Sequence, residues 1–306
     1  MITLSVVAIA PAARDWLAKT TTARVLNVFD RACNLVNADG EVLSVVTSER
    51  GLNPFALMVP AEEAWPFRSV TPADPVRLER DKLSFGSVRV EWSEARPWQP
   101  APDWRALRRY FSDHGHMQEL IALAAGQGPA GSLMELFSLP GSPDSLAPAL
   151  RARAGLGAAD LVQGLASGSL ARCQEGINRL AGLGGGLTPA GDDLIVGALL
   201  AAWGGLFGPG ADELAIPLAL AAQARTTTLS AAYLRAAARG ECAAAWHGLF
   251  EALLSGDQGA NVRLNARTAA MQSLLSVGHT SGADALAGFV AIEYLGVASA
   301  EVVKLI

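Results

Sequence analysis

The sequence predicts an α+β protein. A small N-terminal β-barrel or sandwich-like domain over residues 1–100 is followed by a larger, mainly α-helical domain over residues 101–306. Three observations predict it. Between residues 22 and 95, short runs of β-branched and aromatic residues alternate with Gly and Pro turn residues. The stretch 96–104, RPWQPAPDW, then carries three prolines, a composition that suits a boundary. Beyond it, Ala- and Leu-rich segments keep helical periodicity almost to the end of the chain.

Taken in order, residues 24–37 mix β-branched and aromatic residues with polar ones and read as strand. Asp39-Gly40 marks a hairpin turn into a strand over 41–47. A short strand is expected over 55–59, ended by Pro60, and Pro66, Pro72 and Pro75 punctuate the next segment. Strands are expected over 76–80 and over 84–92, where alternation is clear. Helices are expected over 104–125, 146–154, 158–166 and 170–181, the last closed by Gly182. A central helix follows over 189–203, then helices near 212–222, 227–239, 241–254, 261–276 and 282–296.

Composition excludes several classes. Apolar residues are 51% of the 306, enough for a sizeable core. Charged residues are only 17%, so much of the surface is small, apolar or shared with a partner. A net charge of −5 argues against nucleic acid, and no basic run suits an anionic membrane. The uncharged run 194–211 raises the question of a membrane span, but Gly204-Gly205 and Gly208-Pro209-Gly210 break it. No positive charge precedes the apolar stretch near the N-terminus, so it reads as part of the fold rather than a signal peptide. Cys33, Cys173 and Cys242 are far apart and show no ligand spacing, which fits a reducing cytoplasm.

Chemistry concentrates in 182-GLGGGLTPAGDDLIVGALLAAW-203. Gly182 and Gly184 to Gly186 read as a loop feeding a helix, with Thr188 suited to the N-cap and Pro189 to the first helical position. Such a loop presents backbone N–H groups that can hold an anion. Neither familiar phosphate loop fits. A P-loop needs a lysine that is absent here, and the third glycine of a dinucleotide loop falls on Leu187 or Pro189. Asp192 and Asp193 stand before an apolar run. Burying an unpaired carboxylate costs several kcal/mol, whereas the helix dipole returns about 0.3–2 kcal/mol. They therefore need a partner: backbone N–H groups, an arginine, a metal ion or a ligand. The bland alternative is a tight loop and a helix cap.

The device partly recurs. Gly191-x-Asp193-x-x-x-Gly197 is matched by Gly282-x-Asp284-x-x-x-Gly288. Two such helix starts would suit opposite walls of one cleft; coincidence in a Gly- and Ala-rich chain is the alternative. Arg225, beside Thr226 and near Ser230, suits a carboxylate or phosphate, an ion pair with Asp192 or Asp193, or a plain surface helix start. His279 suits acid–base work or a structural hydrogen bond. His114 and His116 lack a third ligand nearby, and no Gly-x-Ser-x-Gly is present.

The segments G-L-G-x-G-L-T-P-x-G-D-D and G-H-T-S-G-x-D, with 225-RTTTLSAAYLRAAARGE-241 between them, resemble the pattern of a bacterial family long catalogued as a domain of unknown function. Its best-known member is AllH, a subunit of the oxamate carbamoyltransferase of anaerobic allantoin breakdown. The resemblance implies a subunit of a carbamoyltransferase-type complex, which moves a carbamoyl group between an amide such as oxamate and phosphate. It also implies partner subunits similar to FdrA, which resembles acyl-CoA synthetases. Placed on this chain, phosphate, carbamoyl phosphate or a small amide or carboxylate falls to Gly184, Gly185, Gly186, Thr188 and Gly191. Arg225, Thr226 and Ser230 would line one side, with Thr280, Ser281, Gly282 and Asp284 on the other. Asp192, Asp193 and His279 are the candidate catalytic groups, and Asp192 with Asp193 could hold a magnesium ion that bridges to phosphate. The alternative is a non-catalytic ligand-binding or scaffold subunit.

Overall fold

The computed structural model describes residues 1–61, 66–137, 145–256 and 259–295. Two compact units emerge: residues 1–100 with Cys242–Ala244, and the remainder of the chain.

The first unit is built from β1 (Ile2–Ser5), β2 (Ala8–Ile9), α1 (Pro11–Lys19), β3 (Ala23–Phe29), β4 (Ala32–Asn37), β5 (Val42–Thr47), β6 (Ala56–Val59), β7 (Val76–Glu79), β8 (Lys82–Phe85), β9 (Val88–Glu91) and β10 (Arg96–Pro97). The strands form two open sheets, in the orders β1-β9-β8-β7 and β10-β2-β6-β5-β4-β3, not a closed barrel. One core joins Leu4, Phe85 and Val88 of the first sheet to Leu35, Leu43 and Leu57 of the second, with Trp16 of α1. This is the sandwich-like arrangement. The Asp39-Gly40 turn links β4 to β5 in antiparallel pairing, and Gly40 takes φ +75°. The segment 24–37 is a hairpin of β3 and β4, turning at Asp30-Arg31. The stretch 84–92 is not one strand: Gly86 takes φ +54° and folds β8 back onto β9. Alternation alone hid the turn because Phe85, Val88 and Val90 still face one core.

The second unit contains α2 (Trp104–Phe111), α3 (His114–Ala124), a 3-10 turn at Leu133–Phe137, α4 (Pro148–Ser167), α5 (Leu170–Leu180), α6 (Ala190–Trp203), a 3-10 turn at Ala211–Leu214, α7 (Ala215–Gln223), α8 (Thr228–Ala238), α9 (Ala244–Leu254), α10 (Ala260–Leu275) and α11 (Ser281–Leu295). The end expected at 296 lies outside the described residues. The pattern over 104–125 divides because the Asp113 side chain accepts the Gly115 N–H and starts a new helix. Conversely, the two helices expected over 146–154 and 158–166 are one, α4. Its glycines are packing sites rather than breaks. A Cβ at Gly157 would lie 2.7 Å from Leu180 Cγ and one at Gly164 2.6 Å from the Cys173 nitrogen, while one on Gly176 of α5 would lie 2.6 Å from the Leu161 nitrogen. No described helix is long and apolar enough to cross a membrane.

Candidate functional site at two paired helix starts

The glycine loop runs from the end of α5 into α6. Gly182 takes φ +72°, and a Cβ there would lie 2.5 Å from the Arg225 carbonyl oxygen. Gly184 and Gly186 take φ +108° and +88°, which side-chain-bearing residues rarely adopt. The loop is closed by Leu183 N–H donating to Leu180 O (2.8 Å) and Gly191 N–H to Leu183 O (2.9 Å). Gly184, Gly185, Gly186 and Leu187 are all exposed. Their N–H groups find no acceptor among the described residues. Thr188 is not the N-cap. Pro189 takes that place with extended backbone and no side-chain bond. The Thr188 hydroxyl instead meets the Ser281 hydroxyl, 2.9 Å away at the start of α11. Proline fixes its own φ near the value found, −54°, which frees the threonine for this longer-range contact.

The two helices cross by reciprocal glycine contact. A Cβ on Gly197 of α6 would overlap the carbonyl oxygen of Ala285 on α11, and a Cβ on Gly288 of α11 would overlap that of Leu194 on α6. The helix starts match as well: Gly191 abuts the Leu180 carbonyl at the end of α5, and Gly282 abuts the Leu274 carbonyl at the end of α10. The recurring Gly-x-Asp-x-x-x-Gly pattern is thus one packing device used twice. It brings two helix N-termini, and their positive dipole ends, to one place.

Three aspartates sit in these first turns. Asp192 is fully buried and fully partnered. Its Oδ1 accepts the Gly182 N–H (2.9 Å), and its Oδ2 accepts the Thr226 and Ser230 hydroxyls, the latter at 2.9 Å. It ties α6 to the glycine loop and to α8. Burial raises its pKa, opposed by those three donors. Asp193 and Asp284 occupy equivalent positions on α6 and α11 and are 7% and 0% exposed. The Asp284 Oδ1 accepts the Leu133 N–H at 2.6 Å. Its Oδ2, like that of Asp193, accepts no hydrogen bond among the described residues. Burial pushes Asp193 well above the carboxylate range; the Ser281 and Thr188 hydroxyls oppose this, while Asp284 and Asp192 reinforce it. Burial raises Asp284 to about 6, against the Leu133 N–H, the Thr280 hydroxyl and the charge of His279.

Asp284 makes stability depend on pH. It keeps its proton to about 6 in the folded protein, against 3.8 for an ordinary aspartate. Folding stability from this group is therefore highest at low pH and falls as pH rises between those values, by about two pH units at about 1.4 kcal/mol each, or roughly 3 kcal/mol. Urea unfolding at pH 4 to 7 should show Asp284→Asn gaining on the natural protein across that window. Parallel curves would mean that Asp284 is not buried in the folded state.

The remaining candidates divide. Thr226, Ser230, Thr280, Ser281 and Gly282 join the cluster. Arg225 pairs with neither aspartate; it is exposed, and its guanidinium donates to the Asn178 carbonyl at 3.5 Å. His279 is exposed at the rim. Asp192 and Asp193, adjacent on one helix, diverge by about 100°. One turns to α8 and the other to α11. With both Asp192 oxygens already accepting from N–H and hydroxyl donors, this pair does not fit a magnesium ion. Among the described residues no group of three or more His, Cys, Asp or Glu side chains could hold a metal. Sequence reasoning missed Leu133, whose N–H reaches Asp284 across 151 positions. It also missed Glu135, which braces that turn by accepting from the Gly131, Ser145 and Leu146 N–H groups. Nothing local in 131-GSLMELF-137 announces either role.

Residues 180–292 match the family model described as oxamate carbamoyltransferase subunit AllH, and residues 5–97 match the AllH family N-terminal domain. The first match takes in the glycine loop, the Asp192 clamp and the start of α11. No solved structure matches the chain. With family models matched in both halves, the chain belongs to the AllH family, that of an oxamate carbamoyltransferase subunit.

Proposed function

We propose that this chain is the subunit of a carbamoyltransferase-type complex that binds the small anionic reactant, phosphate or carbamoyl phosphate, or a small carboxylate or amide such as oxamate. One observation carries the reading: the open N–H groups of Gly184 to Leu187 stand where two helix starts meet, marked by the Thr188–Ser281 contact. Two dipole ends and a glycine-rich backbone favour an oxyanion without an arginine or lysine. Thr188, Ser281 and Thr280 add hydroxyls that can donate or accept. Asp193 and Asp284, protonated or ionised as the ligand demands, are the groups suited to moving a proton at the carbamoyl nitrogen. An FdrA-like partner subunit would complete the reaction centre, which also suits a ligand-binding rather than a self-sufficient catalytic subunit. Exposed Arg225, with no buried carboxylate of its own to neutralise, is free to meet a carboxylate at the rim.

Inorganic phosphate and carbamoyl phosphate at a hundredfold excess over their dissociation constants should stabilise the full chain by about 2.7 kcal/mol, read as a rise in Tm. Gly186→Ala should abolish the rise and lower the unliganded Tm by the cost of holding alanine at φ +88°, about 1 kcal/mol or somewhat more, because a Cβ there meets nothing within 4 Å but disfavours the positive φ. A rise that Gly186→Ala leaves intact would place the anion elsewhere, and no rise with either compound would end the anion-binding reading.

A further inference from the structure

We propose that Asp193 and Asp284 together recognise the N–H2 end of the ligand, so that the site selects primary amides and carbamoyl compounds over the matching carboxylates and acyl phosphates. This rests on the reading of the glycine loop as the anion-binding end and adds the opposite end of the same ligand. Two oxygens carry the inference. Asp193 Oδ2 and Asp284 Oδ2 are buried and accept no hydrogen bond among the described residues. A buried carboxylate oxygen without a donor is among the costlier features a fold can keep. No described ion pair involves either residue, and His279, whose charge acts on Asp284, is exposed.

What these oxygens lack is hydrogen-bond donors. A carboxylate or phosphate oxygen brings no donor and would be repelled by an ionised carboxyl, and among the described residues no group of three or more His, Cys, Asp or Glu side chains could hold a metal ion there. A carbamoyl or amide N–H2 offers two hydrogens, and the site offers two carboxyls at equivalent positions on crossing helices. The hydroxyls of Thr188 and Ser281 meet each other and act on Asp193, and they can turn to accept or donate as the ligand enters. Burial favours the protonated carboxyls, and an arriving N–H2 supplies the donors that the ionised form needs. The glycine-loop N–H groups then hold the oxyanion at the other end. A ligand must carry both groups to satisfy both ends.

Paired probes test this on the full chain by calorimetry: oxamate against oxalate, which replaces N–H2 by O⁻, and carbamoyl phosphate against acetyl phosphate, which replaces it by methyl. Inorganic phosphate reports the anion end alone. The natural protein should prefer the N–H2 member of each pair by about tenfold or more, because a site built around donors leaves its acceptors unpaired with the analogue. Asp284→Asn, which can still accept the Leu133 N–H but turns a donor toward the ligand, should reduce that preference to within about threefold and leave phosphate affinity unchanged. Asp193→Asn should act alike, with melting curves as the check that both variants fold. Equal binding of the two members, no oxamate binding at millimolar concentration, or a preference that survives both variants would overturn the proposal. Loss of phosphate binding alone, with the amide preference kept, would overturn the anion reading instead.

Discussion

A single added methyl group at Gly197 or at Gly288 is expected to destabilise the protein by about 3 kcal/mol or more, the upper range for overpacking a core. At each position a Cβ would overlap a backbone carbonyl of the opposing helix, Ala285 in one case and Leu194 in the other. A flexible side chain can rotate away; a carbonyl inside a helix moves only with the helix. Urea unfolding should show a lower midpoint with an unchanged slope for both Gly197→Ala and Gly288→Ala. The double variant should cost less than the two singles together, because the first substitution already separates the helices that the second would push apart. Gly185→Ala is the control: nothing lies within 4 Å of its Cβ, and the cost should stay near 0.5 kcal/mol. A Gly197→Ala protein as stable as the natural one would show that α6 and α11 do not cross as described.

The second large effect belongs to Asp192. Asp192→Ala should cost about 3–5 kcal/mol, because it strands the Gly182 N–H and the Thr226 and Ser230 hydroxyls in a buried site at once. Asp192→Asn retains one acceptor and should fall between the alanine variant and the natural protein. Ser230→Ala and Thr226→Ala should each cost about 1–2 kcal/mol, and neither should add fully to Asp192→Ala. Additive costs would mean that the three side chains do not share one hydrogen-bond cluster. The clamp holds the glycine loop against α8, so loss of phosphate binding in Asp192→Ala should accompany lost stability rather than precede it.

Much of the site was legible because its parts are local. Four glycines, Thr188, Pro189 and two aspartates before an apolar run announce a loop entering a helix, and the second Gly-x-Asp-x-x-x-Gly announces its counterpart. What the pattern could not give was partnership. Asp192 and Asp193 look alike in the sequence. One is satisfied from positions 182, 226 and 230, while the other faces α11. A helix turns about 100° per residue, so neighbours never share an environment. Thr188 reads as a cap by residue type, and only the position of Ser281 shows its other use. Glycines misled in the same way. At Gly86 the residue makes a turn inside an apparent strand, and at Gly157 it opens space for Leu180 inside an apparent helix break. Both readings are physically allowed to glycine, and only the neighbour across the contact decides.

The reciprocal crossing of α6 and α11 has a further effect on what the protein can measure. With carbonyl oxygens resting where side chains would otherwise lie, the two helices touch backbone to backbone with no side chain between them. The distance from the glycine loop to Asp284 is therefore set before any molecule arrives. On the proposed reading of the site, such a span would act as a gauge of length: a molecule too short or too long by one bond would forfeit one of its two ends. Nothing has to be ordered on arrival, so the free energy of each contact appears in affinity rather than being absorbed in rearrangement.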